Sequence, residues 1–178
     1  MLFRSYQGAI ADYTKAIEIN PQLAPAYSNR GNAKSNLKDY QGAIADYSKA
    51  IEINPKDAGS YYNRGLIKGK NLNDLDGAIN DFNLAIEFNP LHYASYNNRC
   101  FAKYLSGNPV DALPDCEKSL SINPEYSYAY DTRGDIKYAL SDKKDACSDY
   151  KKATKYGYKV RAKYLASEEG AWCRNMPD

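Results

Sequence analysis

One stretch near the start of the chain occurs twice almost unchanged. It reads Ser5-Tyr6-Gln7-Gly8-Ala9-Ile10-Ala11-Asp12-Tyr13-Thr14-Lys15-Ala16-Ile17-Glu18-Ile19-Asn20-Pro21 and returns at residues 39–55, where only Asp39 and Ser48 differ. The offset is 39 − 5 = 34 residues, and more diverged copies occupy residues 77–90, 111–124 and 145–156. Self-similarity at a fixed period of about 20–50 residues is typical of repeat arrays. The stretch therefore predicts an array of repeated units.

A second block alternates with the first along the chain. Each copy has a tyrosine three residues before an arginine, and these arginines are 34, 35 and 34 residues apart: Arg30, Arg64, Arg99 and Arg133. The one extra residue falls in the segment 69–74, which we predict to be a turn, where an insertion costs little free energy. The repeat thus contains two different blocks.

Both blocks have the spacing of α-helices. In the first block, apolar side chains share one helical stripe: Ala43, Tyr47, Ala50 and Ile51. Asn54-Pro55 predicts the end of this helix, because Asn tolerates a left-handed conformation and Pro cannot continue a helix. Gly31 in the second block is small enough to let two antiparallel helices approach closely. Each repeat is predicted to be a helical hairpin.

The combined pattern resembles the tetratricopeptide repeat (TPR) family over residues 1–160. It contains an aromatic residue, a glycine four residues later, then Ala, Tyr or Phe, Ala and Pro. The chain departs from the family in placing arginine before the glycine, where leucine is usual, and in placing Lys34, Lys68, Lys103 and Lys137 where an aromatic is usual. The resemblance implies an all-α fold, a right-handed superhelical solenoid of antiparallel helix pairs.

The repeat boundaries predict a single solenoid over residues 1–178. We expect a half repeat at 1–23 and four full repeats at 24–57, 58–92, 93–126 and 127–160. A capping helix near 161–173 and a tail complete the chain. Because neighbours supply most contacts in such arrays, this arrangement is expected to be stabilised mainly between adjacent repeats.

Composition disfavours several functional classes. Lys and Arg number 24 against 22 Asp and Glu, so bulk charge does not favour a nucleic-acid or membrane surface. No stretch approaches the ~18 apolar residues of a membrane span. The four cysteines form no C-x-x-C pair, and His92 has no nucleophile or carboxylate motif near it. We therefore predict no enzyme, no cofactor, no metal, no nucleic-acid partner and no direct membrane insertion.

The resemblance implies a peptide-binding groove lined by the first helix of each pair. Carried over residue by residue, the groove positions are Ser28, Asn29, Asn32, Tyr62, Asn63, Leu66, Asn97, Asn98, Phe101, Asp131, Thr132 and Asp135. Asn29, Asn63 and Asn98 hold one register, and an Asn amide can both donate and accept. Such a ladder could bind an extended backbone, although solvated groove residues of a duplicated unit would look the same.

The residues at these positions also bear on the partner's charge. The family's clamp for an acidic C-terminal tail needs cations where this chain has Ser28, Ala94 and Asn98. The predicted groove instead ends at Asp131 and Asp135. We therefore expect a protein or peptide partner that is neutral to basic and partly apolar.

The repeated arginines are predicted to make structural ion pairs. Each recurs with one aspartate per repeat: Asp12, Asp46, Asp81, Asp115 and Asp149. An unpaired buried charge costs several kcal/mol. We therefore predict ion pairs between adjacent helices, with Arg64 paired to Asp46 or Asp81.

The first helix suggests an alternative function. Its apolar stripe includes Tyr6, Ile10, Tyr13 and Ile17, and no first helix of a pair precedes it in this sequence. Uncovered apolar patches mark interfaces. Either the chain is a fragment of a longer array, or another molecule covers this stripe, which would make the protein a self-assembly module or a homodimer.

The cysteines bear on localisation. The segments around Cys147 and Cys173 resemble the closing segment of some bacterial repeat proteins, in which two such cysteines are bonded, and this resemblance predicts a disulfide between Cys147 and Cys173. Cys100 and Cys116 replace the glycine and the tyrosine of the repeat register, and we predict that they are unbonded and buried as small apolar side chains. A bond between Cys147 and Cys173 would imply an extracytoplasmic location, and unbonded thiols a cytoplasmic one, so the sequence leaves localisation open.

Overall fold

The computed structural model describes residues 2–176, with side chains from Ser5 onward. Within that range the chain is helical and has no strand. The helices are α1 (Leu2–Ile19), α2 (Ala24–Asn36), α3 (Tyr40–Ile53), α4 (Ala58–Asn71), α5 (Leu75–Phe88), α6 (Tyr93–Leu105), α7 (Pro109–Ile122), α8 (Ser127–Ala139), α9 (Lys143–Lys155), α10 (Lys159–Ala166) and α11 (Ala171–Arg174).

The helices pair as the period predicts. The hairpins α2–α3, α4–α5, α6–α7 and α8–α9 coincide with the four full repeats. The contacts group the chain into two compact units, unit 1 at Met1–Pro90 and unit 2 at Leu91–Asp178. A single solenoid over the whole chain stays a prediction.

The turns inside the hairpins explain why the helices stop where they do. In each of the four hairpins one turn residue has a positive φ: Lys38, Asn73, Gly107 and Ser141. In three hairpins an aspartate directly after that residue caps the second helix, because Asp39, Asp74 and Asp142 each accept a hydrogen bond from a backbone N–H of its first turn. Gly107 is the turn residue that adopts this conformation without a steric cost.

The centre of three hairpins is a glycine packed beneath an aromatic ring. A Cβ atom on Gly31 would lie 2.9 Å from a ring carbon of Tyr47, and one on Gly65 would lie 2.9 Å from a ring carbon of Phe82. Gly134 is packed against Tyr150 in the same way. The glycine is needed because any side chain there would collide with the ring.

The third hairpin is built differently, and here the sequence-based prediction was wrong. Cys100 and Cys116 occupy the glycine and aromatic positions, and their Sγ atoms are bonded, with the Cα atoms 5.6 Å apart. We had predicted two unbonded thiols. The bond forms because helix packing at the glycine position already brings the two backbones within disulfide distance.

A buried ion-pair cluster repeats in all four hairpins. The guanidinium of Arg64 donates from Nε and Nη2 to the two carboxylate oxygens of Asp81, at 3.0 and 2.7 Å. Lys68 Nζ lies 2.9 Å from the same carboxylate, whose side chain is 2% exposed. Equivalent clusters join Arg30 and Lys34 to Asp46, Arg99 and Lys103 to Asp115, and Arg133 and Lys137 to Asp149.

These clusters show the predicted structural ion pairs. The pairing lies within a hairpin, so the partner of Arg64 is Asp81 and not Asp46. The hydrogen bonds from Arg30 to Asp46 raise the pKa of Arg30 above its ordinary value, although burial opposes the shift. Asp12 has no arginine opposite it among the described residues and is exposed.

The C-terminal cap differs from the single helix predicted near 161–173. The helix α10 ends at Ala166, and the chain turns through Gly170 into the short α11. Arg174 Nη1 donates to the carbonyl oxygens of Leu165 and Ser167, which satisfies the end of α10. The turn brings Cys173 back onto α9, where its Sγ is bonded to that of Cys147.

Candidate peptide-binding groove

In unit 1, Asn32 is the centre of a polar network at the predicted groove. Its Oδ1 accepts hydrogen bonds from the hydroxyl of Tyr47 at 2.8 Å and from Nδ2 of Asn63 at 3.0 Å. Burial raises the pKa of Tyr47 to about 12, so its hydroxyl remains a donor at neutral pH. The network holds the side chains of α2 and α4 in fixed orientations.

A cavity of about 390 Å³ opens beside this network. Its lining is rich in amides and includes a lysine and apolar side chains: Asn32, Ser35, Asn36, Tyr40, Tyr47, Asn63, Leu66, Ile67, Lys70 and Asn71. Within the described residues, Nδ2 of Asn32 and Oδ1 of Asn63 make no hydrogen bond to the chain. The cavity therefore offers one amide donor and one amide acceptor to a ligand.

The other predicted positions of unit 1 lie outside this cavity. Asn29 is exposed. The hydroxyl of Ser28 accepts a hydrogen bond from that of Ser60 at 3.0 Å. Tyr62 packs its ring against Phe82, with the ring centroids 6.1 Å apart. Of the six positions predicted in unit 1, the structure brings Asn32, Asn63 and Leu66 together.

In unit 2, the amides of α6 are not arranged as a ladder. Asn97 is 5% exposed, and its Oδ1 is buried without a hydrogen-bond partner among the described residues, so this side chain is not open to a groove. Asn98 donates from Nδ2 to the carbonyl oxygen of Ala94 in its own helix. Phe101 is 42% exposed, and Thr132 is buried. The three asparagines of the predicted ladder therefore have different environments: Asn29 is exposed, Asn63 lines the cavity of unit 1, and Asn98 is bonded within its own helix.

The two carboxylates of α8 are paired by a residue that the sequence reasoning missed. Arg161 of α10 donates from Nε to Asp131 at 2.5 Å and from Nη2 to Asp135 at 2.6 Å. Its guanidinium carbon lies 3.9 Å from the ring centroid of Tyr150. Burial opposes the charge of Arg161, but its bonds to the two carboxylates outweigh burial and raise its pKa above the ordinary value.

This pairing offsets one of the two negative charges that the sequence predicted at this end of the groove. Two carboxylates one helical turn apart on a partly buried face need a cation, because unpaired buried charges are costly. That rule, applied to Asp131 and Asp135, predicts a cation from the cap, where the sequence has Arg161 and Arg174.

The predicted self-association stripe lies on α1. Tyr6, Ile10, Tyr13 and Ile17 are all half-buried. On the same helix Ala9, Asp12 and Ala16 are half-buried or exposed, whereas their counterparts in α3 are buried. The uncovered face of α1 therefore includes an unpaired aspartate.

The described residues meet neither the requirements of a metal cluster nor those of a membrane-spanning helix. They contain no group of three or more His, Cys, Asp or Glu side chains arranged to hold a metal ion. None of the helices in that part of the chain is both long and apolar enough to cross a membrane.

Comparisons with known proteins identify the class. Residues 5–38 match a family model described as TPR repeat, and residues 24–57 and 47–80 match two models described as tetratricopeptide repeat. The chain belongs to the tetratricopeptide repeat family, and the predicted all-α array of TPR helix pairs is confirmed. No curated protein matches the sequence.

Solved structures show the same fold. A crystal structure of MamA is 23% identical, with a TM-score of 0.78 over 89% of this chain and 92% of that chain. YrrB, described as a TPR protein with an unusual peptide-binding site, is 20% identical, with a TM-score of 0.75 over 92% and 84%. The first TPR of Spaghetti (RPAP3), solved with an HSP90 peptide, is 26% identical, with a TM-score of 0.65 over 67% and 94%.

Proposed function

We propose that this protein is a protein-interaction scaffold that binds an extended peptide at the amide-lined cavity of unit 1. TPR folds are typically non-enzymatic scaffolds, and relatives of this fold bind peptides. The observation that carries the proposal is the pair of unused amide groups on Asn32 and Asn63 beside a cavity of about 390 Å³. An extended backbone presents a carbonyl and an N–H that fit this donor and acceptor.

The surroundings indicate the chemistry of the peptide. Leu66 and Ile67 provide apolar lining, and Lys70 is the one charged side chain of the cavity. In unit 2 a basic peptide would have to displace Arg161 from Asp131 and Asp135. A neutral, partly apolar peptide therefore fits better than a strongly basic one, and we propose no catalytic step and no cofactor.

The test is a binding measurement with a peptide array, followed by variants of the cavity. Two lost hydrogen bonds at about 1 kcal/mol each predict an affinity about 30-fold lower for Asn32→Ala/Asn63→Ala. Asn29→Ala is the matched control, because it removes an exposed amide outside the cavity, and its affinity should stay unchanged. Equal affinities of the double variant and the parent protein would contradict the proposal, provided that thermal melting shows both to be folded.

Self-assembly through α1 is the second candidate function. The favouring observation is that Asp12 is exposed and Ala9 and Ala16 are half-buried, although the same register is buried in every other second helix. Light scattering of the parent protein and of Ile10→Lys/Ile17→Lys tests it. A dimer that becomes monomeric in the variant supports the second candidate, and a monomer in both excludes it.

We further propose an oxidising, extracytoplasmic location. All four cysteines are paired in disulfides, and such bonds are rare where cellular reductants keep thiols reduced. Mass mapping of protein never exposed to reductant should find the crosslinks 100–116 and 147–173. Four thiols that react with an alkylating reagent would contradict this location.

A further inference from the structure

Four tyrosine rings of unit 2 form a continuous series of contacts, which we call the tyrosine row. The ring centroids of Tyr93 and Tyr126 are 4.8 Å apart, and those of Tyr126 and Tyr128 are 5.6 Å apart. The centroids of Tyr128 and Tyr158 are 5.0 Å apart. Tyr128 lies at the start of α8, and Tyr158 directly precedes α10. The tyrosine row therefore connects the last hairpin to the cap.

The tyrosine row is not a feature of the repeat. Tyr93 lies six residues before its arginine, and Tyr126 and Tyr128 lie seven and five residues before theirs. The residues at these three positions are Ala24, Leu23 and Pro25 ahead of Arg30, and Ala58, Asp57 and Gly59 ahead of Arg64. The helical hairpins thus form without rings here. Phenylalanine would supply the same ring packing, so what tyrosine adds is an oxidisable phenol.

Tyr128 is the ring of the row that a dissolved oxidant reaches. It is 53% exposed, whereas Tyr93, Tyr126 and Tyr158 are half-buried. Thiols are readily oxidised side chains. All four cysteines of the chain are bonded, so no thiol of this protein competes for the oxidant.

Tyr158 has a proton acceptor in place. Its hydroxyl donates a hydrogen bond to the carboxylate of Asp131, which is also bound by Arg161. Burial raises the pKa of Tyr158 above its ordinary value, so the hydroxyl is protonated at neutral pH and its oxidation must release that proton. A carboxylate within hydrogen-bond reach can accept it. Of the two rings that contact Tyr128, that of Tyr158 is also the nearer one.

We propose that Tyr128 and Tyr158 are a site of oxidative cross-linking, where a haem peroxidase that consumes hydrogen peroxide joins the two rings. Each phenol loses one electron to the peroxidase and one proton, which passes from Tyr158 to Asp131 and from Tyr128 to water. The two radicals form a carbon–carbon bond between Cε atoms, ortho to the hydroxyls. The hydrogens of these two carbons move to the oxygens as the rings become aromatic again. One hydrogen peroxide takes up the two electrons and two protons and becomes two waters.

The cross-link fastens the cap to the last hairpin. The bond between Cys147 and Cys173 holds α11 on α9, and the cross-link holds the start of α10 on α8. Because the two rings are already in contact within one molecule, their coupling is favoured over coupling between two molecules.

The test oxidises the purified protein with a haem peroxidase and a limiting amount of hydrogen peroxide. Tandem mass spectrometry of the digested protein should find Tyr128 and Tyr158 in one cross-linked pair that lacks two hydrogens, and a denaturing gel should show no covalent dimer. Tyr158→Phe should abolish this link, because it keeps the ring and removes the phenol. Tyr138→Phe is the matched control and should leave the yield unchanged, because Tyr138 is 43% exposed and its ring contacts Trp172.

The consequence for the cap is measured by hydrogen exchange. After the disulfides are reduced, α10 should exchange more slowly in the cross-linked protein than in the protein that was not oxidised. Equal exchange in the two would show that the link does not fasten the cap.

The cross-linking proposal is overturned if no link forms, if Tyr93 and Tyr126 are joined instead, or if the product is a covalent dimer. An equal loss of yield in Tyr158→Phe and Tyr138→Phe would also overturn it, because coupling would then follow exposure alone. Thermal melting confirms that both variants are folded. These measurements use purified protein, so they do not depend on the proposed extracytoplasmic location, which the mapping of thiols tests separately.

Discussion

The hairpins α4–α5 and α6–α7 share one ion-pair design but differ at their centres. Both place an arginine and a lysine of the first helix on a buried aspartate of the second. In α4–α5, Gly65 lies beneath the ring of Phe82, whereas in α6–α7 Cys100 and Cys116 are bonded at the same two positions.

The comparison shows that the glycine position and the aromatic position at the centre of a hairpin must change together. A ring needs a neighbour without a side chain, because a Cβ at Gly65 would lie 2.9 Å from Phe82. A cysteine in place of the ring fills much less volume, and the bond offsets the lost packing by a covalent constraint. The α6–α7 hairpin should therefore depend on oxidation, and the α4–α5 hairpin should not.

The largest expected effect is the loss of the Cys100–Cys116 bond. Closing a loop of 16 residues stabilises by about 3 kcal/mol in the chain-entropy account, so Cys100→Ser/Cys116→Ser should lower the stability of unit 2 by about that amount. Hydrogen exchange measured residue by residue should show faster exchange in α6 and α7 and unchanged exchange in α4 and α5.

A second variant separates the bond from the packing. Cys100→Gly/Cys116→Tyr restores the glycine and ring of the other hairpins, so unit 2 should regain much of its stability and become insensitive to reductant at this hairpin. If reductant does not alter exchange in α6 and α7 of the parent protein, the proposed difference between the hairpins is wrong.

The next largest effect on stability is expected from the ion pair that both hairpins share. Arg64→Leu should cost about 2 kcal/mol, less than the 3–5 of a fully broken buried pair, because Lys68 remains beside Asp81. Adding Asp81→Asn should recover much of the loss. Denaturant unfolding of the four members of the double-mutant cycle measures the coupling, and additive effects of the two substitutions would refute it. Arg99→Leu should behave alike in α6–α7.

The close contact at Gly65 can be tested against a glycine without neighbours. Gly65→Ala forces the ring of Phe82 to move and should cost about 1–2 kcal/mol, as overpacking does. A Cβ on Gly8 of α1 would meet nothing within 4 Å, so Gly8→Ala should stabilise by about 0.5–1 kcal/mol through helix propensity. Thermal melting of both variants checks the opposite signs, and two changes of the same sign would contradict the packing argument.

The smallest effect concerns the turns of the hairpins. Lys38 has φ 65° and Gly107 has φ 84°, both in the left-handed region. Lys38→Gly should stabilise unit 1 by about 0.5 kcal/mol, and Gly107→Ala should destabilise unit 2 by about 1 kcal/mol, because side chains with a Cβ are disfavoured there. Urea unfolding resolves both shifts, and a stabilising Gly107→Ala would show that the turn relaxes.

The sequence alone determined the repeat, the helical hairpins and the pairing of each arginine with an aspartate. These features depend on period and on local chemistry: Gly31 and Ala43 mark close helix contact, Asn54-Pro55 marks a helix end, and a partly buried arginine requires a carboxylate. Each can be read from the period of the repeat or from the residue type at one position of it.

The tertiary structure alone decided the contacts that depend on side-chain direction across helices. It joined Cys100 to Cys116, placed Arg161 on Asp131 and Asp135, buried Asn97, and made Asn32 the centre of the unit 1 network. The register of the repeat shows which residues occupy equivalent positions, but it does not show which side chains come into contact. That depends on how closely two helix axes approach and on where the chain returns after Gly170, and both follow from packing over the whole unit.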